Sequence, residues 1–150
     1  GAPGFSYVYL IYGYHFCFNA VCRPSGIAEA VLIRAIEPSV GENLMRERRP
    51  VPDLKALTSG PAKLCAALDI DRRLDAIDVC DKGSPLFIAR NPSIEAYLRE
   101  RGPTVETTRV GISKAADLPL RFYLEGSPFV SKRVTRARKT FPKSNPPSAS

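Results

Sequence analysis

The stretch YVYLIYGYHFCFN, residues 7–19, decides how this chain folds. Residues 6–12 are rich in Tyr, Val, Ile and Leu, which are typical of β-strands. Gly13 interrupts this run, and a glycine inside a strand pattern indicates a bulge or a close approach of two backbones. The period-two pattern continues over residues 14–22 and ends at a turn of Arg, Pro, Ser and Gly. The stretch therefore predicts two successive strands with an irregularity at Gly13.

A third strand is predicted over residues 29–37, where the chain reaches Pro38. Arg34 lies in the middle of this otherwise apolar segment. A charge that is buried at such a position must be paired or used in function. Arg34 is therefore a candidate functional residue, and a structural ion pair is the alternative.

The remaining patterns predict short elements joined by short connections. Helices are expected at 43–49 and 62–68, strands at 86–89, 106–112 and 120–124, and a loop with one helical turn at 91–103. Most strands are joined by turns too short for parallel crossovers. The sequence thus predicts the α+β class with a largely antiparallel sheet and a few short helices. Residues 1–131 are expected to form one domain.

The positive charge of the chain is concentrated after residue 131. Residues 132–150 hold six of the 22 basic residues and no acidic residue, whereas the preceding 131 residues hold 16 basic and 15 acidic side chains. This basic tail is expected to be disordered. It could attract a polyanion through counterion release, or it could be a solvated end without a partner.

Several functional classes are disfavoured by composition. No apolar run approaches the ~20 residues that span a bilayer, so no membrane association is expected. The four cysteines form no CxxC pair and the chain has a single histidine, so no metal site is expected. Cys17 and Cys65 lie in apolar patterns, where a free thiol fits a reducing compartment. The opening Gly-Ala-Pro-Gly lacks a methionine and predicts an excised segment of a longer protein.

Four blocks, in order, resemble the alkyladenine (3-methyladenine, methylpurine) DNA glycosylase family. They are YVYLIYGYHFCFN at 7–19, VLIRAIEP at 31–38, LTSGPAKLCAALDID at 57–71, and RVGI with LRFYLEGSPFVS at 109–112 and 120–131. The resemblance implies a curved antiparallel sheet and a monofunctional enzyme of base excision repair. Such an enzyme flips alkylated or deaminated purines from double-stranded DNA and hydrolyses the N-glycosidic bond with water. It implies no cofactor, no metal and no lysine Schiff base, and a monomer that lies inside the cell with the DNA.

The resemblance assigns the base-recognition roles to the first two blocks. Tyr12 would be the wedge that fills the gap left by the flipped nucleotide. Tyr9 would stack on the base, Leu32 would touch it, and Asn19 would disfavour guanine through its exocyclic amine. Without the resemblance, Tyr12 could be a core or rim tyrosine, Tyr9 a cross-strand packing residue, and Asn19 a hydrogen-bonded strand residue.

The resemblance also assigns groups that would hold the hydrolytic water and the DNA. Arg34 and the backbone carbonyl of Val110 would bind the water. Gly111 and Tyr14 are assigned to DNA contacts, although Tyr14 stands where the family is expected to have Met. His15 is expected to contact the DNA backbone or to be a satisfied side chain, and it is not the stacking histidine of the family. Lys63, at the start of a helix, could meet a phosphate.

The general base of the family is a Glu in a Glu-Ala-Tyr segment, which the resemblance places before residue 1. Because the base that activates water is then missing, we expect this chain by itself to bind DNA weakly and to be catalytically inactive or nearly so. A copy of the motif at Glu95-Ala96-Tyr97 lies where the family has a variable loop, and we do not expect it to be catalytic. The alternatives are a non-catalytic nucleic-acid-binding module and a structural domain with core tyrosines.

Overall fold

Three antiparallel strands begin the fold, in a computed structural model that describes residues 1–111, 113 and 115–131. Strand β1 spans Ser6–Ile11, β2 spans His15–Val21 and β3 spans Ala30–Leu32, in the spatial order β1-β2-β3. Tyr9 lies opposite Cys17 in the register of β1 and β2. This register places alternate side chains of both strands on the same two faces of the sheet.

The connection between β1 and β2 is a tight turn rather than a bulge. Tyr12 has a φ of 54° and Gly13 a φ of 78°, and Ile11 pairs with His15 on either side of the turn. Two successive left-handed residues match the twist of a hairpin. The irregularity expected at Gly13 is therefore real, but its form was predicted incorrectly.

One face of this sheet packs against helix α3, Pro61–Leu68. Val8 and Phe18 lie opposite each other and are buried together with Leu64 and Cys65 of the helix. Helix α3 begins with Pro61 in its first turn, where proline fits because its missing N–H would be unpaired. We call this packed side of the sheet the helix face.

Two shorter helices extend the core on the far side of α3. Helix α1 spans Glu42–Arg48, and helix α2 spans Leu54–Thr58 with the Asp53 carboxylate accepting from the Lys55 amide at its start. Met45 and Leu57 pack with Ala67 in a second buried cluster. The helix at 62–68 and the one at 43–49 were predicted, whereas α2 was not.

The outer edge of β1 is covered by the segment that follows α3. A 3₁₀ turn at Arg72–Leu74 leads into residues 75–79, which run beside the strand. The Asp75 carboxylate accepts from the Val8 amide at 2.8 Å, and the Arg72 guanidinium donates to the Val8 carbonyl at 2.8 Å. These contacts satisfy backbone groups that an edge strand would otherwise expose.

A second, two-stranded sheet follows helix α4. The helix spans Ile94–Arg101, β4 spans Thr104–Thr107 and β5 spans Arg121–Leu124, and the two strands are antiparallel. The loop predicted for 91–103 is thus wrong over most of its length. The strand predicted at 106–112 begins earlier and ends at Thr107.

The α+β class and the antiparallel pairing are confirmed, with the strands divided between two small sheets. The predicted third strand is wrong beyond Leu32, because residues 33–37 belong to no strand, and residues 86–89 form no strand either. The tail at 132–150 lies outside the described residues. Within the part of the chain that the structure describes, no helix is long and apolar enough to cross a membrane.

Candidate nucleic-acid interface

The side of the first sheet that faces away from α3 carries the residues predicted to bind a base. Tyr7, Tyr9, Cys17, Asn19 and Leu32 share this side, because Tyr7 and Leu32 both lie opposite Asn19 and Tyr9 lies opposite Cys17. We call it the tyrosine face. Strand pairing therefore brings Tyr9, Asn19 and Leu32 to one side of the sheet.

Tyr9 lies partly buried on this face. Its ring centroid is 5.4 Å from that of Tyr7, with the rings tilted by 31°. Burial and the neighbouring Cys17 thiol raise the pKa of the Tyr9 hydroxyl, while the charge of Arg34 lowers it. The phenol is therefore neutral at physiological pH and offers an uncharged aromatic surface. The contact with Tyr7 shows that Tyr9 also packs along its own strand.

Asn19 is buried, with 7% of its surface exposed. Its side-chain nitrogen donates to the Tyr7 carbonyl at 3.1 Å across the strands. This hydrogen bond fixes the orientation of the amide, since the nitrogen must point at the carbonyl. The acceptor oxygen of Asn19 is thus the atom that remains for a ligand on the tyrosine face.

Arg34 is exposed rather than buried in an apolar row. The expected buried charge was wrong because strand β3 ends at Leu32 and the chain beyond it is only partly covered. The Ile33 amide still donates to the Phe18 carbonyl at 3.0 Å, which continues the alternation by one residue. Arg34 therefore lies on the side of Leu32, and its charge reaches Tyr9.

The hairpin turn projects two tyrosines from the end of the same strands. Tyr12 is 79% exposed and Tyr14 is 72% exposed, so neither is a core residue. The Tyr14 ring lies 4.2 Å from the His15 ring, with a tilt of 54°. The Tyr14 and His15 side chains also line a cavity of ≈180 Å³ beside α3. Tyr12, Tyr14 and His15 are thus grouped at one end of the sheet.

The other predicted residues lie on elements outside the first sheet. Lys63 is exposed on α3, close to the extended residue Gly60 that precedes the helix. Val110 and Gly111 follow β4, and Gly111 has a left-handed φ of 77°. The Arg109 side chain donates to the Ala115 carbonyl at 3.1 Å, which braces this turn.

Glu37 accepts several side-chain hydrogen bonds, although the sequence did not mark it as a candidate residue. Its carboxylate accepts from the Tyr97 hydroxyl at 2.7 Å and from the Arg101 Nε at 3.0 Å, and it forms a second contact with the Arg101 guanidinium. The only sequence signal was its place in the block VLIRAIEP. Tyr97 belongs to the Glu-Ala-Tyr copy, whose Glu95 is exposed on α4.

A family model described as methylpurine-DNA glycosylase (MPG) matches residues 1–128, which include both sheets and every candidate site residue. The chain belongs to this family. The resemblance inferred from the four sequence blocks is thereby confirmed. The roles of single residues in this methylpurine-DNA glycosylase family member stay predictions.

Three relatives show how much of a family member this chain represents. A protein of Methanoculleus marisnigri is 50% identical over 133 residues, which are 89% of this chain and 67% of the relative. One of Francisella tularensis is 45% identical (87% and 65%), and one of Nitrosospira multiformis is 44% identical (88% and 64%). All three are named "Putative 3-methyladenine DNA glycosylase". The chain spans about two thirds of the length of these curated relatives.

Proposed function

We propose that this protein is a DNA glycosylase that flips alkylated or deaminated purines out of duplex DNA and hydrolyses their N-glycosidic bond. The main support for the proposal is the arrangement of side chains on the first hairpin. Its turn presents the exposed Tyr12 at the end of a face that holds Tyr9, Asn19 and Leu32. A wedge and a base-binding surface on one rigid hairpin are what extrusion of a nucleotide requires.

In this proposal Tyr12 enters the duplex and occupies the place of the flipped nucleotide. Apolar wedges of this kind unstack a base step at a cost of a few kcal/mol, which contacts made by the opened DNA repay. Tyr12 suits the task because its side chain is exposed while its backbone is fixed in a tight turn. Tyr14 and His15 would support the DNA backbone beside it.

The flipped base would lie on the tyrosine face. Its ring would stack on Tyr9, and such stacking is worth about 1–3 kcal/mol per base. A purine that alkylation has made electron-poor gains further from an aromatic surface, as cations do. Leu32 would close the apolar contact. The face would thus favour by charge those alkylated purines that are cationic, and neutral lesions by stacking alone.

Asn19 would supply discrimination at the edge of the base. Its Nδ2 is already committed to the Tyr7 carbonyl, so its oxygen faces the ligand. The amide cannot turn without leaving a buried donor and a carbonyl unpaired, which costs about 1–3 kcal/mol. The discrimination that the resemblance implies would be steric, because a fixed amide cannot move aside for the exocyclic amine of guanine.

The chemical step would be attack of a water oxygen on the sugar C1′ as the bond to the base nitrogen breaks. Arg34 and the Val110 carbonyl are proposed to hold this water, and its proton passes to a general base. Glu95 is not proposed as that base, because its side chain is exposed on α4. The Tyr97 hydroxyl of the same Glu-Ala-Tyr copy donates to Glu37 instead. The partner is damaged double-stranded DNA, and the protein would act inside the cell where that DNA lies.

The proposal is tested by comparing lesion-containing with intact duplex. Duplexes with one 1,N6-ethenoadenine or one adenine at the same position are titrated with the full-length protein, including the Glu-Ala-Tyr segment that the resemblance implies, at several salt concentrations, and base release is followed in parallel. We expect tighter binding to the lesion duplex by at least about tenfold, which is about 1.4 kcal/mol. Binding that ignores the lesion and falls steeply with salt would instead identify a non-catalytic nucleic-acid-binding module.

A further inference from the structure

Glu37 connects two parts of the molecule through a cluster of three side chains. Its carboxylate binds the Arg101 guanidinium through both oxygens, and the Tyr97 hydroxyl donates to one of the same oxygens at 2.7 Å. The Glu37 and Arg101 side chains are only 24% and 23% exposed. We call these three residues the Glu37 cluster. A half-buried, forked pair of this kind is rigid, because two parallel hydrogen bonds fix its orientation.

The Glu37 cluster lies where the first sheet and its helices meet the α4–β4–β5 part. Three hydrogen bonds reach back from Tyr97 and Arg101 of α4, and all three end on the Glu37 carboxylate. The first part has its own buried core around Val8 and Leu64. The cluster therefore fixes α4 against the segment that carries Glu37.

Each part carries one of the groups proposed to hold the hydrolytic water. Arg34 precedes Glu37 by three residues, on a segment that two hydrogen bonds fix. The Ile33 amide donates to the Phe18 carbonyl at 3.0 Å, and the Thr58 hydroxyl donates to the Ile36 carbonyl at 2.7 Å. Arg101 is the last residue of α4, and the chain then enters β4, which ends three residues before Val110. The cluster therefore connects the segment that carries Arg34 with the helix that leads to Val110.

We propose that Glu37, Arg101 and Tyr97 are positioning residues that set the separation between the Arg34 guanidinium and the Val110 carbonyl. This inference rests on the proposed function, because it concerns the water of that reaction. A displacement of ~1 Å at a reacting centre can cost ~100-fold in rate. The cluster touches neither base nor water, so it acts through the two segments that it joins.

The chemistry of the cluster explains why these residue types are needed. The planar guanidinium of Arg101 matches a carboxylate with two bonds at once, which a lysine ammonium does not. Another nitrogen of the same guanidinium lies 3.0 Å from Glu100. Arg101 also holds the pKa of the Glu37 carboxyl below its ordinary value, so that the carboxylate is ionised at neutral pH.

The test uses Glu37→Gln, Arg101→Gln and the double variant of the intact protein. The control is Glu29→Gln, which removes the charge of a Glu that also pairs with an arginine at 2.9 Å but is 56% exposed. We measure the single-turnover rate of ethenoadenine release, the Kd for the lesion duplex, and hydrogen exchange of the β4 and β2 amides. Tyr97→Phe, which removes one hydroxyl, serves if either charge variant does not fold.

We expect each single variant to lower the release rate about tenfold while the Kd stays within about twofold, and β4 to exchange faster while β2 is unchanged. The double variant should be no slower than the singles, because all three remove one interaction. Release rates within about twofold of the unaltered protein, or unchanged exchange in β4, would overturn the inference. If the unaltered protein releases no base, the proposed function fails, and faster exchange in β4 still shows whether the cluster holds the two parts.

Discussion

Two residues of the first hairpin stand in environments that their side chains ordinarily avoid. Tyr12 has a left-handed φ of 54°, and the amide side chain of Asn19 is buried in the middle of a strand. Non-glycine residues in this conformation are uncommon, and asparagine is depleted in strands. Local strain of about 1–3 kcal/mol persists where the surrounding structure fixes it, and it is frequent at functional sites. Both observations support the wedge and the amide proposed here.

Tyr12→Ala should separate function from stability. The side chain is 79% exposed, so its removal should change the free energy of unfolding by no more than about 0.5 kcal/mol. Loss of the wedge should lower the single-turnover rate of ethenoadenine release by at least about tenfold. Phe122→Ala is the matched control, because Phe122 is 61% exposed on the other sheet. Equal rates in the two variants would contradict the assignment of Tyr12.

Glu37 should make a pH-dependent contribution to stability. The folded pKa of its carboxyl is lowered, chiefly by hydrogen bonds from Arg101, relative to an unfolded value of about 4.3. Its contribution is therefore fully present above about pH 5 and is lost as the pH falls through the folded pKa. Urea unfolding at pH 3 to 7 should show that the difference between the unaltered protein and Glu37→Gln shrinks only at the acidic end. A difference that is constant over this range would be inconsistent with the lowered pKa.

At the scale of elements, local patterns predicted what local interactions determine. Strands β1 and β2 follow from alternation, and α3 follows from a proline at its start and apolar spacing. Strand β3 was predicted too long, because the carbonyl of Ile36 is satisfied by the Thr58 hydroxyl instead of a neighbouring strand. That contact joins residues 22 positions apart and leaves no trace in the local pattern.

Helix α4 was predicted only as a loop with one helical turn, and the reason differs from that for β3. Its sequence, IEAYLRER, lacks a clear apolar stripe, and none of its residues is buried. Two of its residues, Tyr97 and Arg101, bind Glu37, which lies 60 and 64 positions earlier in the chain. The helix could have been found from Ile94 and Leu98, which are four residues apart, and from Gly102 at its end.

The packing of α3 on the helix face should dominate the stability of the hairpin. Leu64 is 1% exposed between Val8 and Phe18, and Leu64→Ala should cost about 2–5 kcal/mol of unfolding free energy. The control Leu44→Ala removes a leucine of α1 that is 55% exposed and should cost less than about 1 kcal/mol. Chemical unfolding measures both. Similar losses in the two variants would show that α3 is not the packing partner of the hairpin.

At the scale of the whole molecule, the candidate site combines a local and a distant part. Tyr9, Tyr12 and Asn19 lie within 11 residues of each other, so one sequence block was enough to predict them together. Arg34 was predicted as a candidate, but its exposure was not, because that depends on where β3 ends. The role of Glu37 could not be predicted, since it depends on a helix that the sequence did not reveal.

The basic tail offers a separate test of DNA binding. Deleting residues 132–150 removes six positive charges and no negative charge. Since the slope of log K against log salt changes by about 0.9 for each phosphate neutralised, the slope should flatten by as much as about five. The ratio of affinities for lesion and intact duplex should stay the same. An unchanged slope would assign the tail to a solvated end without a DNA contact.

The central claim is that the hairpin extrudes and holds a damaged purine. It is tested most directly by single-turnover release of ethenoadenine from duplex DNA, with the intact protein and its Tyr12→Ala and Arg34→Gln variants, against the matched undamaged duplex. We expect release from the lesion duplex alone and a loss of at least about tenfold in each variant, with Phe122→Ala unaffected. Release that is equal from damaged and undamaged DNA, or unchanged in both variants, would contradict it.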